Sequence, residues 1–487
     1  MPREIEAGVQ MKLYTLTKRR LAMVFVMFMS FFIISVTAGL AAPDVIYTDS
    51  HNVKLIKNEY GSLVLSVNTS PILTPLNQQL WLLATPVLVN KDSNDTVDIA
   101  VTPQINFFHV DSEGHEQSEL SGPPLSHRRQ LTCTSEKCDS LLLLHLGYIN
   151  HSEYKVTVKL DNTDEVTNLF ESITLEFKTY KSAFTQVEIW FRTVFLALTF
   201  IFTIWYTRSL KPYHWDDWSI EQKWVMILLP LLLLYNNPLF PLAFIVASFA
   251  PFMVDGIFQA TFLATLLLYY LCIYHSIREV KRSFVRFYLP KILLVCLIWL
   301  IAVVLSTWQA VNERTDPTYN YRVDTVNFMG LKVVLFVLAA LYTLFLFYLF
   351  ITAFIELRNV AYFGLRLRFA AVYMVVIFSV SLAILILRFG TQILDESFVS
   401  EISTRYGSAA EFLSLYGLMN FSLYAMAYVY SPSKNALSES RFPDNPAVSM
   451  LNESDSESDS DILYGRSKDE KIDYSVNFMG NLDADSD

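Results

Sequence analysis

The residues of this sequence best placed to do chemistry are amides inside apolar stretches. Asn236 and Asn237, followed by Pro238 and Pro241, end the run VMILLPLLLLYNNPLFPL. At about 1.5 Å per helical residue from Ile220, the two asparagines lie about 24 Å along, within an apolar slab roughly 30 Å thick. Pro238 has no N–H for the carbonyl of Leu234, nor Pro241 for that of Asn237, so the last turn must break or kink. Amides beside freed carbonyls need protein or trapped water to meet them in hydrocarbon. Two settings supply that: a water- or ligand-accessible chamber, or a proline kink whose asparagines bond a neighbouring helix. A second stripe, Tyr416, Asn420, Tyr424 and Tyr428, recurs every four residues and shares one helix face. The cost of Asn420 in lipid turns that face into the bundle. The expected lipid-binding chamber is therefore lined by Asn236, Asn237, Pro238, Tyr416, Asn420 and Tyr424, and its chemistry is recognition by hydrogen bonding and apolar contact.

Other reactive side chains point to structure. Cys133 and Cys138, in LTCTSEKCDS, suit a local disulfide in a polar, hairpin-like stretch. Cys272 and Cys296 lie in apolar runs and read as small hydrophobes. Glu188 and Arg192 are four apart and can pair on one helix face. Lys332 and Arg388 near helix ends can snorkel. The histidines are scattered without ligand spacing, so no metal or cofactor is expected. No H-E-x-x-H, G-x-S-x-G or glycine-rich phosphate loop occurs, and the chain is read as not an enzyme. Intramembrane acids and bases look nearly absent, which speaks against proton-coupled transport.

The elements that must hold these residues follow from composition. Of 487 residues 53% are hydrophobic and only 17% charged, a membrane-protein balance. Apolar runs long enough to span a bilayer occur at 21–42, 186–206, 225–250, 252–274, 289–310, 327–355, 369–388 and 409–430. The first stands alone and seven follow as a block. The first has a basic flank and ends TAGLAAP, so a cleaved signal peptide competes with a retained helix; its length favours retention. Between the first two runs, SLVLSV, KVTVKL and ITLEFKT alternate with period two, the signature of strands. The expected architecture is a membrane α-helical bundle, one N-terminal span plus seven helices, with an all-β sandwich domain outside the membrane. Its parts are a cytosolic N-terminus at 1–20, the first span at 21–42, the β-domain at 43–185, the seven-helix domain at 186–430 and a disordered tail at 431–487.

Orientation follows the positive-inside rule. Loops near 207–224, 275–291 and 356–368 hold eleven Lys and Arg against four in the alternate loops. This places the β-domain in the lumen or outside the cell and the C-terminus in the cytosol. Sequons at Asn68, Asn94 and Asn150 agree with glycosylation there. The formal charge of -10 belongs mostly to the tail, which carries thirteen Asp and Glu against five Lys and Arg, so no basic region for nucleic acid exists. Ser454, Ser456, Ser458 and Ser460 alternate with acids there, a pattern that acidophilic kinases accept and sorting adaptors read.

Three stretches carry a family resemblance: FTQVEIWFRTVFL at 184–196, DWSIEQKWVMILLPLLLLYNNPLFPL at 217–242 and NFSLYAMAYVYSPS at 420–433. The chain resembles the Wntless-like superfamily of seven-helix proteins with GOLD-type domains, and within it the transmembrane protein 181 group. The resemblance implies a trafficking protein of the secretory and endosomal route, resident in Golgi, endosomes and plasma membrane. It further implies a bundle cavity for a membrane lipid or lipid-modified protein and a lumenal domain that meets a protein ligand. The lack of cysteine-rich hairpins speaks against Wnt as cargo. A seven-helix signalling receptor and an ion channel are the competing readings; neither a D-R-Y nor an N-P-x-x-Y switch stands where the first needs it, and charged pore-lining residues for the second are few.

Overall fold

The computed structural model describes residues 9–433 except 55–62, 70–71, 89–96, 111–114, 119–124, 128, 134–137, 139, 161–169, 247, 249, 279–282, 320–326, 358–360 and 390–405. Asn94 and the four tail serines lie outside the described residues.

The alternating segment forms two packed antiparallel sheets. One holds, in spatial order, β1 (Ile46–Lys54), β11 (Phe170–Tyr180), β3 (Leu80–Leu88) and β9 (Leu141–Leu146). The other holds β2 (Leu63–Asn68), β10 (Tyr154–Leu160), β5 (Pro103–Val110) and β6 (Glu116–Ser118), with β7 (Leu125–Ser126) also on β5. A separate ribbon pairs β4 (Val97–Val101) with β8 (Arg129–Cys133). Every second residue faces inward, so Leu80, Leu82 and Ala84 meet Ile173, Leu175 and Phe177 across from Val156, Val158, Ile105 and Phe107 in one core. The pleat sends Trp81 to the opposite face, where it joins Tyr180 and Phe184 in the core of the bundle. Cys133 and Cys138 are joined by a disulfide at the end of β8. Asn68 and Asn150 are exposed on this domain, as glycan attachment requires.

Eight long helices follow the apolar runs: α1 (Lys18–Leu40), α2 (Ser182–Leu210), α3 (Ile220–Tyr235), α4 (Ala250–Arg278), α5 (Leu289–Thr315), α6 (Asn327–Leu357), α7 (Ala361–Phe389) and α8 (Ala409–Tyr430). Among the described residues seven segments are long and apolar enough to cross a membrane, the third being α3 together with the turn that follows it (Ile220–Phe244), and Arg368–Ile384 within α7 is a shorter apolar helix. α3 starts on a capping box, with Ser219 accepting from the Gln222 amide and Gln222 accepting from that of Ser219. The run 225–250 is not one helix. α3 stops at Tyr235 because Asn237 takes a left-handed φ of 51°, a helix-ending conformation that asparagine tolerates, and Pro238 follows. A turn of 3-10 helix at Phe240–Phe244 then leads into α4.

α8 is the central helix, and α1 lies along it. A Cβ on Gly39 would sit 2.4 Å from the Cα of Ala410, and one on Gly417 would sit 2.5 Å from Oγ of Ser35, so small residues permit the close approach. Ser35 donates to the carbonyl of Leu413 at 2.7 Å. Ahead of α1, residues 9–13 form a strap across the end of the bundle away from the β-domain. Lys12 N–H donates to the Ser431 carbonyl at 2.9 Å and Ser433 N–H to that of Gln10 at 2.9 Å. Val9, Met11 and Leu13 are buried beneath it. The first apolar run is thus built into the bundle as its eighth helix, and Lys332, expected to reach a surface, is instead buried.

Candidate functional site

The sequence singled out Asn236 and Asn420, and the structure brings them together. Asn236 Nδ2 donates to Asn420 Oδ1 at 2.8 Å, and Asn420 Nδ2 returns a bond to Asn236 Oδ1 at 3.0 Å. The second proton of Asn236 goes to Thr199 Oγ1 at 3.0 Å and that of Asn420 to the Tyr416 carbonyl at 2.9 Å. Thr199 donates to the Phe195 carbonyl at 2.7 Å and lies 2.6 Å from the Tyr424 hydroxyl. Both asparagines are 0% exposed, so no water-sized space touches either. The chamber expected at Asn236, Asn237, Pro238, Tyr416, Asn420 and Tyr424 therefore does not lie there. α2, α3 and α8 satisfy the amides directly, as interhelical bonds in hydrocarbon do. Tyr416 and Tyr424 pack inside with them, whereas Pro238 and Tyr428 are exposed on the outer surface.

One turn nearer the β-domain lies a charged cluster. Arg192 on α2 donates through Nε and Nη2 to Glu188 Oε1 at 3.1 and 2.8 Å. Its Nη1 and Nη2 fork onto Asp255 of α4 at 2.7 and 3.1 Å. Asp255 also accepts from Asn237 Nδ2 at 2.8 Å and Gln259 Nε2 at 2.9 Å, and Gln259 reaches the Tyr416 hydroxyl at 3.2 Å. The guanidinium lies 3.8 Å from the centre of the Phe240 ring. Glu188, Arg192 and Asp255 are all under 5% exposed. This overturns the expectation that ionisable groups are nearly absent between the helices, and Glu188–Arg192 is one edge of a three-charge cluster rather than a local pair. Asn237 holds the broken helix end in place and feeds Asp255 at once.

The cluster reaches into the β-domain through Gln78. Its Nε2 donates to Glu188 Oε2 at 2.9 Å and to Thr185 Oγ1 at 2.9 Å, and Thr185 donates to the Leu76 carbonyl at 2.7 Å. Gln78 holds a φ of 55°, a left-handed value rare for residues other than glycine, and strain of this kind collects where function fixes the backbone. A second clamp joins His127 to Asp316 after α5, at 2.5 Å, and His145 N–H to the Pro317 carbonyl at 2.8 Å. Burial raises the Asp316 carboxyl, but the His127 hydrogen bond, those from Thr318 and the charge of His127 outweigh it and leave the group below the usual Asp value. A lowered folded value means that this stabilisation is complete above the ordinary value of about 4 and disappears only as pH falls through the folded one. Hydrogen exchange at residues 316–319 is accordingly expected to stay protected on acidification until pH drops below about 4; loss of protection near neutrality would contradict the assignment.

Two family models cover this architecture. Residues 181–434 match the Wntless-like transmembrane domain, and residues 65–180 match the GOLD domain of TMEM181. Over 467 residues the sequence is 44% identical to Transmembrane protein 181 of Homo sapiens, covering 96% of each chain. The chain belongs to the transmembrane protein 181 family. It is a multi-pass membrane protein with a GOLD domain seated on a Wntless-like bundle, and the family's bundle model takes in the asparagine box and the charged cluster alike.

Sequence reasoning passed over Asp255, Gln259 and Gln78. A signal was present: Asp255 and Gln259 are four apart in PFMVDGIFQA, and Arg192 between helices requires a compensating acid beyond its own turn. Gln78 left no such trace, because its partner Glu188 lies 110 positions away.

Proposed function

We propose that this family member is a non-enzymatic sorting receptor or carrier of the secretory and endosomal route, with the β-domain in the lumen and the C-terminus in the cytosol. Its partner is a membrane lipid or a lipid-modified lumenal protein, and the acidic tail recruits sorting adaptors. The observation that supports the reading is a small open niche of about 50 Å³ where the β-domain meets the bundle, room for the end of an acyl chain only, lined by Gln78, Tyr148, Ile149, Asn150, Phe244 and Phe252 and bordered by Ile245. Ile245 is 77% exposed and gives the hollow an apolar rim, which in the proposed orientation faces the bilayer. Binding is thereby moved from the asparagine box to this seam.

A photoreactive acyl probe added to the protein in nanodiscs tests it. Crosslinks are expected to concentrate in 240–252 and 148–150, and Phe252→Arg should reduce them about tenfold, as losing one large apolar contact would. Crosslinks spread evenly over all lipid-facing helices, unchanged by the substitution, would remove the basis for a carrier. The competing signalling-receptor reading loses ground because the strap of residues 9–13 closes the tail end of the bundle.

A further inference from the structure

The charged cluster does more than hold helices together, and its second role stands independently of the carrier reading. Two carboxylates, Glu188 and Asp255, share one guanidinium in a buried site, so with both ionised the cluster has one negative charge in excess among the described residues. An uncompensated charge away from water is costly, and so deeply buried a site admits a proton more readily than a counter-ion. The two acids are not equivalent. Asp255 accepts four bonds, two from Arg192 and one each from Asn237 and Gln259. Glu188 Oε1 is likewise saturated by Arg192, but Oε2 receives a single donor, the Gln78 amide from the β-domain.

From this asymmetry the structure assigns a proton-binding site at Glu188 Oε2, whose occupancy breaks the Gln78 contact between the β-domain and the bundle while the His127–Asp316 clamp holds. With Glu188 ionised, each proton of the Gln78 amide has an acceptor, one on Glu188 and one on Thr185, while Thr185 donates to Leu76. A proton on Oε2 sets donor against donor. Either Gln78 leaves Glu188, or it turns its oxygen inward and draws the Thr185 hydroxyl off Leu76; both outcomes cost the seam a bond. The strained φ of Gln78 relaxes once the side chain is free. Among the described residues, the groups that face this site are Arg192 on the same helix, Asp255 from α4, and the phenols of Tyr235, Tyr406 and Tyr416 around them. On the β-domain side, the neighbouring titratable groups are His145, 3.2 Å from Gln79, and the His127–Asp316 clamp.

Hydrogen exchange on the full chain in nanodiscs, corrected for the intrinsic pH dependence of exchange, provides the test. As pH falls from about 7.5 to about 4.5, exchange in residues 74–82 is expected to rise about tenfold. Glu188→Gln should show the faster exchange at every pH, with no remaining dependence. Should that variant fail to fold, Gln78→Met leaves all three charges in place and is expected to abolish the dependence as well. His127→Asn and His145→Asn should retain it. A wild-type seam indifferent to pH, or a response that survives both Glu188→Gln and Gln78→Met, would overturn the assignment; so would one that vanishes with the histidines.

Discussion

Arg192→Met is expected to destabilise the bundle by about 3–5 kcal/mol, the usual consequence of removing one partner from a buried ionic group. The substitution keeps apolar volume near Phe240 but leaves Glu188 and Asp255 with only Gln78, Asn237 and Gln259 as donors. The measurement is thermal unfolding of the purified protein, read alongside the fraction that leaves the compartment of synthesis. A triple variant, Glu188→Leu with Arg192→Met and Asp255→Leu, should recover part of the loss, because replacing a whole buried ionic group by apolar residues is often close to neutral. A single Arg192→Met chain as stable as the wild type would show that the cluster does not bind α2 to α4.

The asparagine box makes the second large prediction. Asn420→Leu leaves one proton of Asn236 and its Oδ1 without partners among apolar neighbours, while the bond to Thr199 remains, and should cost about 1–3 kcal/mol. Asn236→Leu should cost a similar amount. The double variant should be destabilised by less than the sum, since neither side then holds an unmatched amide; a double-mutant cycle on the melting curves isolates that difference. Lipid recovered with the purified protein is expected to stay unchanged in all three. Strict additivity together with loss of bound lipid would restore the chamber that the sequence suggested.

What was legible in the sequence was local. Period-two alternation in KVTVKL and ITLEFKT gave the β-domain. C-x4-C marked a disulfide because its two ends are five residues apart. The asparagines were also visible as anomalies, yet a single amide in an apolar run says only that a partner exists. Whether that partner is water or Asn420, 184 residues away, is decided by which helices touch. The same limit hid Asp255 from Arg192 and Gln78 from Glu188, since interhelical pairing leaves no trace in the periodicity of either segment. Asn237 looked like a polar liability because its backbone angle, not its amide alone, is what the fold uses.

The contact between Ser35 and Leu413 ties positions 378 apart. At a synthesis rate of about 5–20 residues per second, α1 waits on the order of 20–80 s before its docking surface emerges from the ribosome. During that interval the groove around Gly39 lies open to lipid and to the insertion machinery. A nascent chain interrupted before α8 would keep that groove bare, giving quality control a simple mark by which to recognise an unfinished molecule.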